Sequence, residues 1–188
     1  MIRAFVKPMF LVLIVGLVSG CATAQLSQGP DIRSLKANAG AAEVAVAMVE
    51  DARGGTRAGS IGATSVDVPT SVANMIHRYL TTALNSELGL NIKEAGKADK
   101  TVVSKITGLS IASFDAIMQP VKTQIKLDLS VLDQSSQPIY RQSYLGEYEE
   151  RIGISIVDSK TGQLVESAVQ RLIKEVTNDA NLKKALLQ

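Results

Sequence analysis

The sequence predicts one α+β domain, and three patterns carry that expectation. Val121, Thr123, Ile125, Leu127, Leu129 and Val131 alternate with Lys122, Gln124, Lys126, Asp128 and Ser130, the two-residue period of a strand with one buried and one wet face. Val72, Met75, Ile76, Tyr79, Leu80, Ala83, Leu84 and Leu88 fall on one helical face, and Leu164, Val165, Ala168, Val169, Leu172, Ile173 and Val176 do the same further on. The segments follow in the order β-α-β-β-β-β-α. That order points to a single mixed or antiparallel sheet of about five strands, with two main helices packed on one of its faces.

Each element has its own reason. The run EVAVAMVE at 43–50 suits a strand buried on both faces, in the middle of the sheet. Residues 53–68, with Gly54, Gly55, Gly59 and Gly62 among Arg53 and Arg57, read as a loop. Pro69 and Thr70 supply start chemistry for the first helix, and Gly89 suits its C-terminal cap. A short strand is expected at 90–94 and a β-branched one at 101–112. Residues 134–138 make a turn, 139–151 pair back to form a hairpin, and 181–187 form a short helical tail. Helices on one face leave the other, or part of it, to solvent or a partner.

Composition narrows the function classes. Of the 188 residues, 46% are apolar but only 4% aromatic, and Trp is absent, so the core must rest on Val, Ile, Leu and Ala. The net charge of +2 comes from Arg3 and Lys7; without them 18 basic residues face 18 acidic ones. A neutral domain has no general electrostatic grip on nucleic acid or anionic lipid. Cys21 is the single cysteine, so the chain forms no internal disulfide.

The first twenty residues have the layout of an export signal: a basic start, an apolar run from Pro8 to Leu17, and small residues before Cys21. Crossing the hydrocarbon takes about 20 apolar residues, so this run is short for a retained span. Residues 22–42, ATAQLSQGPDIRSLKANAGAA, lack sustained periodicity and read as a flexible tether, leaving 43–188 as the folded domain. Fully extended, such a tether would reach roughly 70 Å at about 3.3 Å per residue.

Val18, Ser19, Gly20 and Cys21 at the end of that apolar run resemble the lipobox of bacterial lipoproteins. The resemblance implies cleavage after Gly20 and a Cys21 carrying diacylglycerol and an N-acyl chain. Each buried methylene contributes about 0.8 kcal/mol, so several chains anchor permanently. Ala22, where inner-membrane lipoproteins typically have Asp, implies the outer membrane and its periplasmic face. Over nearly the whole length, the lipobox, Asp51-x-Arg53, Ile61-Gly62, a helix ending at Leu88-Gly89, a strand-rich middle and a C-terminal helix resemble the YajG-type lipoproteins. That family implies no catalytic residue, and Cys21 alone carries over with a defined role.

Few side chains suggest chemistry. His77 is the only histidine and lies beside the apolar stripe of its helix, without the second His, Cys or acid partner that a metal or a nucleophile–base pair needs. The segment from Arg53 to Gly59 lacks the Gly-Lys-Ser/Thr ending of a phosphate loop, so no nucleotide is expected. Tyr140, Tyr144 and Tyr148 share one parity on their strand. On an uncovered face they would form an aromatic ridge for a partner; otherwise they pack beneath the helices. Glu147, Glu149, Glu150 and Arg151 suit a charged edge that discourages sheet-to-sheet pairing. The expectation is a non-enzymatic envelope adaptor or assembly protein with a protein partner and no metal or other cofactor. The alternative is an auxiliary transport lipoprotein holding an apolar ligand between sheet and helices.

Overall fold

The computed structural model describes residues 20–38, 40–113, 120–152 and 157–188. In chain order it contains β1 (Cys21–Thr23), a 3-10 turn at Ile32–Ser34, β2 (Glu43–Val46), β3 (Glu50–Asp51), β4 (Arg57–Ile61) and β5 (Thr64–Asp67). Then come α1 (Val72–Ser86), β6 (Asn91–Lys93), β7 (Lys100–Ser113), β8 (Val121–Leu132), β9 (Pro138–Glu150), α2 (Val157–Asn178) and α3 (Ala180–Leu187). The class is α+β, as expected. The sheet is larger than the expected five strands: among the described residues it is mixed and nine-stranded, with three helices.

Alternation in β8 decides which way the sheet faces. Its odd-numbered side chains from Val121 to Val131 are at most 1% exposed, while the even-numbered ones reach solvent. On one side β8 pairs antiparallel with β7, from Thr101 opposite Leu132 to Ala112 opposite Lys122. On the other it pairs antiparallel with β9, from Val121 opposite Glu150 to Leu132 opposite Pro138. Asp133 closes that hairpin: its Oδ1 accepts from the backbone N–H of Ser135 and Gln137 at 2.8 and 2.9 Å.

The strand on which the sheet is organised is β7, in place of the first strand. At fourteen residues it is longer than anything on its free side, so three short strands share that edge, all parallel to it. β2 lies beside Lys100–Val102, β3 beside Lys105–Ile106, and β4 beside Ile111–Ser113. β6 extends the sheet from β2, and β5 and then β1 extend it from β4. The hairpin of β4 and β5 replaces the loop expected at 53–68. Its sequence has no apolar run, because pairing with β7 and close backbone approach hold it instead. A Cβ on Gly59, whose φ is +140°, would meet the Ile111 carbonyl oxygen at 2.1 Å.

Both main helices cover the same sheet face, as the patterns predict. Val72, Met75, Ile76, Leu80 and Leu84 of α1 and Leu164, Val165, Val169, Leu172 and Val176 of α2 join Val102, Ile106, Ile125, Leu127 and Leu129 in one cluster. Full burial of one such aliphatic side chain contributes about 1.5–3 kcal/mol. α2 comes close to the sheet over Gly146, where a Cβ would lie 2.4 Å from the Ala168 carbonyl oxygen and 2.5 Å from the Leu172 Cβ.

The stretch expected to be a flexible tether lies on the domain in its described residues. β1 belongs to the sheet, with Ala22 and Ala24 1% and 3% exposed. Further on, Asn38 exchanges hydrogen bonds with Asn91: the Asn38 N–H donates to Asn91 Oδ1 and Asn91 Nδ2 donates to the Asn38 carbonyl, both at 2.7 Å. Asn85 Nδ2 donates to the Lys36 carbonyl at 2.8 Å. Backbone pairing and these amide bonds need no hydrophobic periodicity, so the segment reads as unstructured in sequence.

Gly146→Val should destabilise the domain by about 1–3 kcal/mol through overpacking against α2. Urea unfolding followed by circular dichroism measures this, and an unchanged midpoint would contradict the close approach.

Candidate functional site

Cys21 is exposed and is the first residue of β1. Opposite it stands Ser65, whose N–H donates to the Gly20 carbonyl at 3.3 Å. Of the expected signal-cleavage residues, Gly20 is exposed beside Cys21, whereas Val18 and Ser19 lie outside the described residues. Cys21 therefore sits exposed against folded structure.

The three tyrosines do not form an open ridge. Register places Tyr140, Tyr144 and Tyr148 opposite Val131, Leu127 and Thr123, on the face that the helices cover. Tyr144 is 7% exposed, and the other two are half-buried. The Tyr140 and Tyr144 hydroxyls are 2.7 Å apart, and both donate to Asp179 Oδ2, at 2.6 and 2.9 Å. Asp179 also caps α3, its Oδ1 accepting from the N–H groups of Asn181 and Leu182. The tyrosine parity was readable in the sequence. The covering carboxylate, some 35 residues on from Tyr144, carried no signal beyond Asp as a helix-start residue.

Burial shapes the titration of this cluster. Tyr140 is pushed up to about 12, first by burial and then by the Asp179 carboxylate. Tyr144 is pushed up as well, chiefly by burial. For Asp179 burial acts upward, but the Tyr140 hydroxyl, the Leu182 N–H, the Tyr144 hydroxyl and the Asn181 N–H outweigh it and hold the carboxyl below its usual value. The arrangement fastens α3 onto β9. It offers no free acid or base.

The remaining candidates are also occupied. His77 Nδ1 lies 3.2 Å from the Ala47 carbonyl, and burial lowers its pKa. Arg53 turns inward: Nε and Nη2 hold Asp51 Oδ1 and Oδ2 at 2.7 Å each, and Nη2 also reaches the Val68 carbonyl at 3.2 Å. The Asp-x-Arg motif thus joins the end of β3 to the entry of α1. Glu147 pairs with Lys122 at 2.7 Å and accepts from Gln124 at 2.7 Å. Among the described residues no group of three His, Cys, Asp or Glu side chains is placed to hold a metal, and no helix is long and apolar enough to cross a membrane.

The sheet face that no described helix covers is polar. Lys105, Lys126, Asp128, Arg141, Ser143 and Glu147 project there, in the parity opposite to the core. Ser143 Oγ donates to Asp128 Oδ1 at 2.6 Å, and Lys105, Asp128, Ser130 and Arg141 line a shallow depression. Leu145 interrupts the polar field, 47% exposed. The space between sheet and helices, by contrast, is filled by side chains such as Ile106, Ile125, Leu127, Leu164 and Leu172, all fully buried.

The chain matches no family model and no curated protein. Its fold is shared with solved structures. Protein XCC0632 from Xanthomonas campestris, of family DUF330, superposes with a TM-score of 0.54 at 11% identity, covering 88% of this chain and 94% of its own. The hypothetical protein CT253 from Chlamydia trachomatis gives 0.54 at 13% identity, covering 78% of this chain and 98% of its own. A minor lipoprotein from Acinetobacter baumannii gives 0.51 at 8% identity, covering 77% and 94%. At these identities the likeness establishes the α+β fold.

Asp179→Ala should detach α3, at a loss of about 2 kcal/mol or more from a helix cap and two buried hydroxyl partners; hydrogen exchange at 180–187 reads the loss. Alkali should act through the same cluster. Because Tyr140 titrates higher folded than unfolded, stability is complete below about pH 10 and falls as pH rises from there toward 12. Tyr140→Phe should flatten that fall in unfolding curves taken across the range.

Proposed function

We propose that the protein is a non-enzymatic lipoprotein of the bacterial envelope, anchored by acyl chains on Cys21 to the periplasmic face of the outer membrane, whose domain binds an envelope protein as an adaptor or assembly factor. Cys21 carries the reading: it ends a lipobox-like tetrapeptide in sequence and stands exposed at the start of the folded domain. Kinship with the YajG-type lipoproteins belongs to the same proposal, and a fold shared with a protein named as a minor lipoprotein suits it. The adaptor surface is the uncovered sheet face around Arg141 and Leu145.

Replacement of Cys21 by Ser should abolish labelling with radioactive palmitate and release the chain from the membrane fraction. Intact-mass measurement of the wild type should show a chain beginning at residue 21 with added diacylglycerol and acyl mass; an unmodified Cys21 would refute the anchor. Photo-crosslinking from position 145 in the full-length lipoprotein should trap one envelope protein, and Arg141→Glu should reduce the adduct without changing the unfolding midpoint. Adducts from position 148 but none from 145 would return the binding surface to the tyrosine side.

A further inference from the structure

We propose that the amide-linked acyl chain on Cys21 completes the ladder between β1 and β5: its carbonyl takes the place of the Gly20 carbonyl and accepts the Ser65 N–H. This rests on the proposed acylation of Cys21 and gives one of its acyl groups a part in the fold.

A parallel ladder reaches one residue beyond the pair that opens it. Cys21 is the partner of Ser65, yet the Ser65 N–H donates to the carbonyl of the preceding residue, Gly20, at 3.3 Å. At the other end the Ala24 N–H donates to the Asp67 carbonyl at 2.9 Å. Between these bonds β1 is three residues long, and it stands at the margin of the sheet, paired with β5 among the described residues. Losing the first bond therefore removes a sizeable part of what holds it.

Cleavage after Gly20 removes that acceptor. Gly20 leaves with the signal, and Cys21 keeps an α-ammonium, which has donors and no lone pair to offer. Ser65 is half-buried, and its N–H is then left without an acceptor from β1.

N-acylation puts an acceptor back. When an acyl ester transfers its chain to the deprotonated amine, an amide C–N bond forms, the ester C–O bond breaks, and the amine gives a proton to the departing alcohol. The product carries no terminal charge. Its first two carbons, a carbonyl and a methylene, match the carbonyl and Cα of a glycine atom for atom. They also have room: Gly20 is exposed, and a Cβ built on it would meet nothing within 4 Å, so the rest of the chain has an open way out. The restored bond fixes the start of β1, with Ala22 and Ala24 buried just behind it. Gln25 follows against α2, where a Cβ on Gly162 would fall 1.9 Å from the Gln25 carbonyl oxygen. The last acylation step thus sets how firmly this segment is docked.

The test compares two forms of the acylated protein in detergent micelles: one N-acylated, the other from a host depleted of N-acylating activity and carrying diacylglycerol with a free amine. Intact mass assigns each form. Amide exchange at Ser65, read by NMR on isotope-labelled serine, should be roughly three- to tenfold slower in the N-acylated form, as the net strength of one hydrogen bond allows. Acetic anhydride applied to the free-amine form near neutral pH, where an α-amine of pKa about 8 reacts well ahead of lysine, should restore slow exchange, because an acetyl group supplies the carbonyl without the chain. Equal exchange in the two forms, or fast exchange after acetylation, would overturn the proposal and leave the anchor standing. Absence of acyl mass on Cys21 would refute the anchor and the proposal with it.

Discussion

The rest of the structure depends on the two-sidedness of β8. A strand with six inward side chains that are fully or nearly fully buried, between two long antiparallel partners, can put water on only one sheet face. Both main helices must take the other. A one-residue slip of β8 against β9 would carry Tyr144 out to solvent and Leu145 into the core, so the ladder holds the tyrosine cluster and the exposed polar surface in place together. Gly146 shows how tightly this is specified, since α2 descends onto the one position of β9 that has no side chain.

Length asymmetry around β7 explains the unusual sheet. With β8 spanning one edge, fourteen residues of backbone remain to be paired on the other. Three short parallel strands divide that edge, and their own partners widen the sheet at both ends. The N-terminal segment joins through the last of these additions. Its docking replaces the expected tether with strand pairing that begins at Cys21.

The tyrosines and Asp179 illustrate where reading the chain reaches its limit. Alternation assigns Tyr140, Tyr144 and Tyr148 to a common face, and that assignment is correct. Whether the face is open depends on two helices that follow later in the chain and on a carboxylate that both caps α3 and accepts two phenolic hydroxyls. Leu145 was legible by the same rule, because its parity matches Arg141 and Glu147. Its exposure follows once the helices have chosen the other side.

By itself the sequence determined the α+β class, the two amphipathic helices, the β8–β9 hairpin and the singular position of Cys21, because each is written in local periodicity or in a contiguous motif. Tertiary structure alone decided the nine-strand sheet, the central place of β7, the covering of the tyrosines and the docking of residues 21–38. These rest on backbone hydrogen bonds and on glycine-permitted contacts such as Gln25 against Gly162. Backbone groups are the same in every residue, so pairing between distant segments leaves no imprint on hydrophobic pattern.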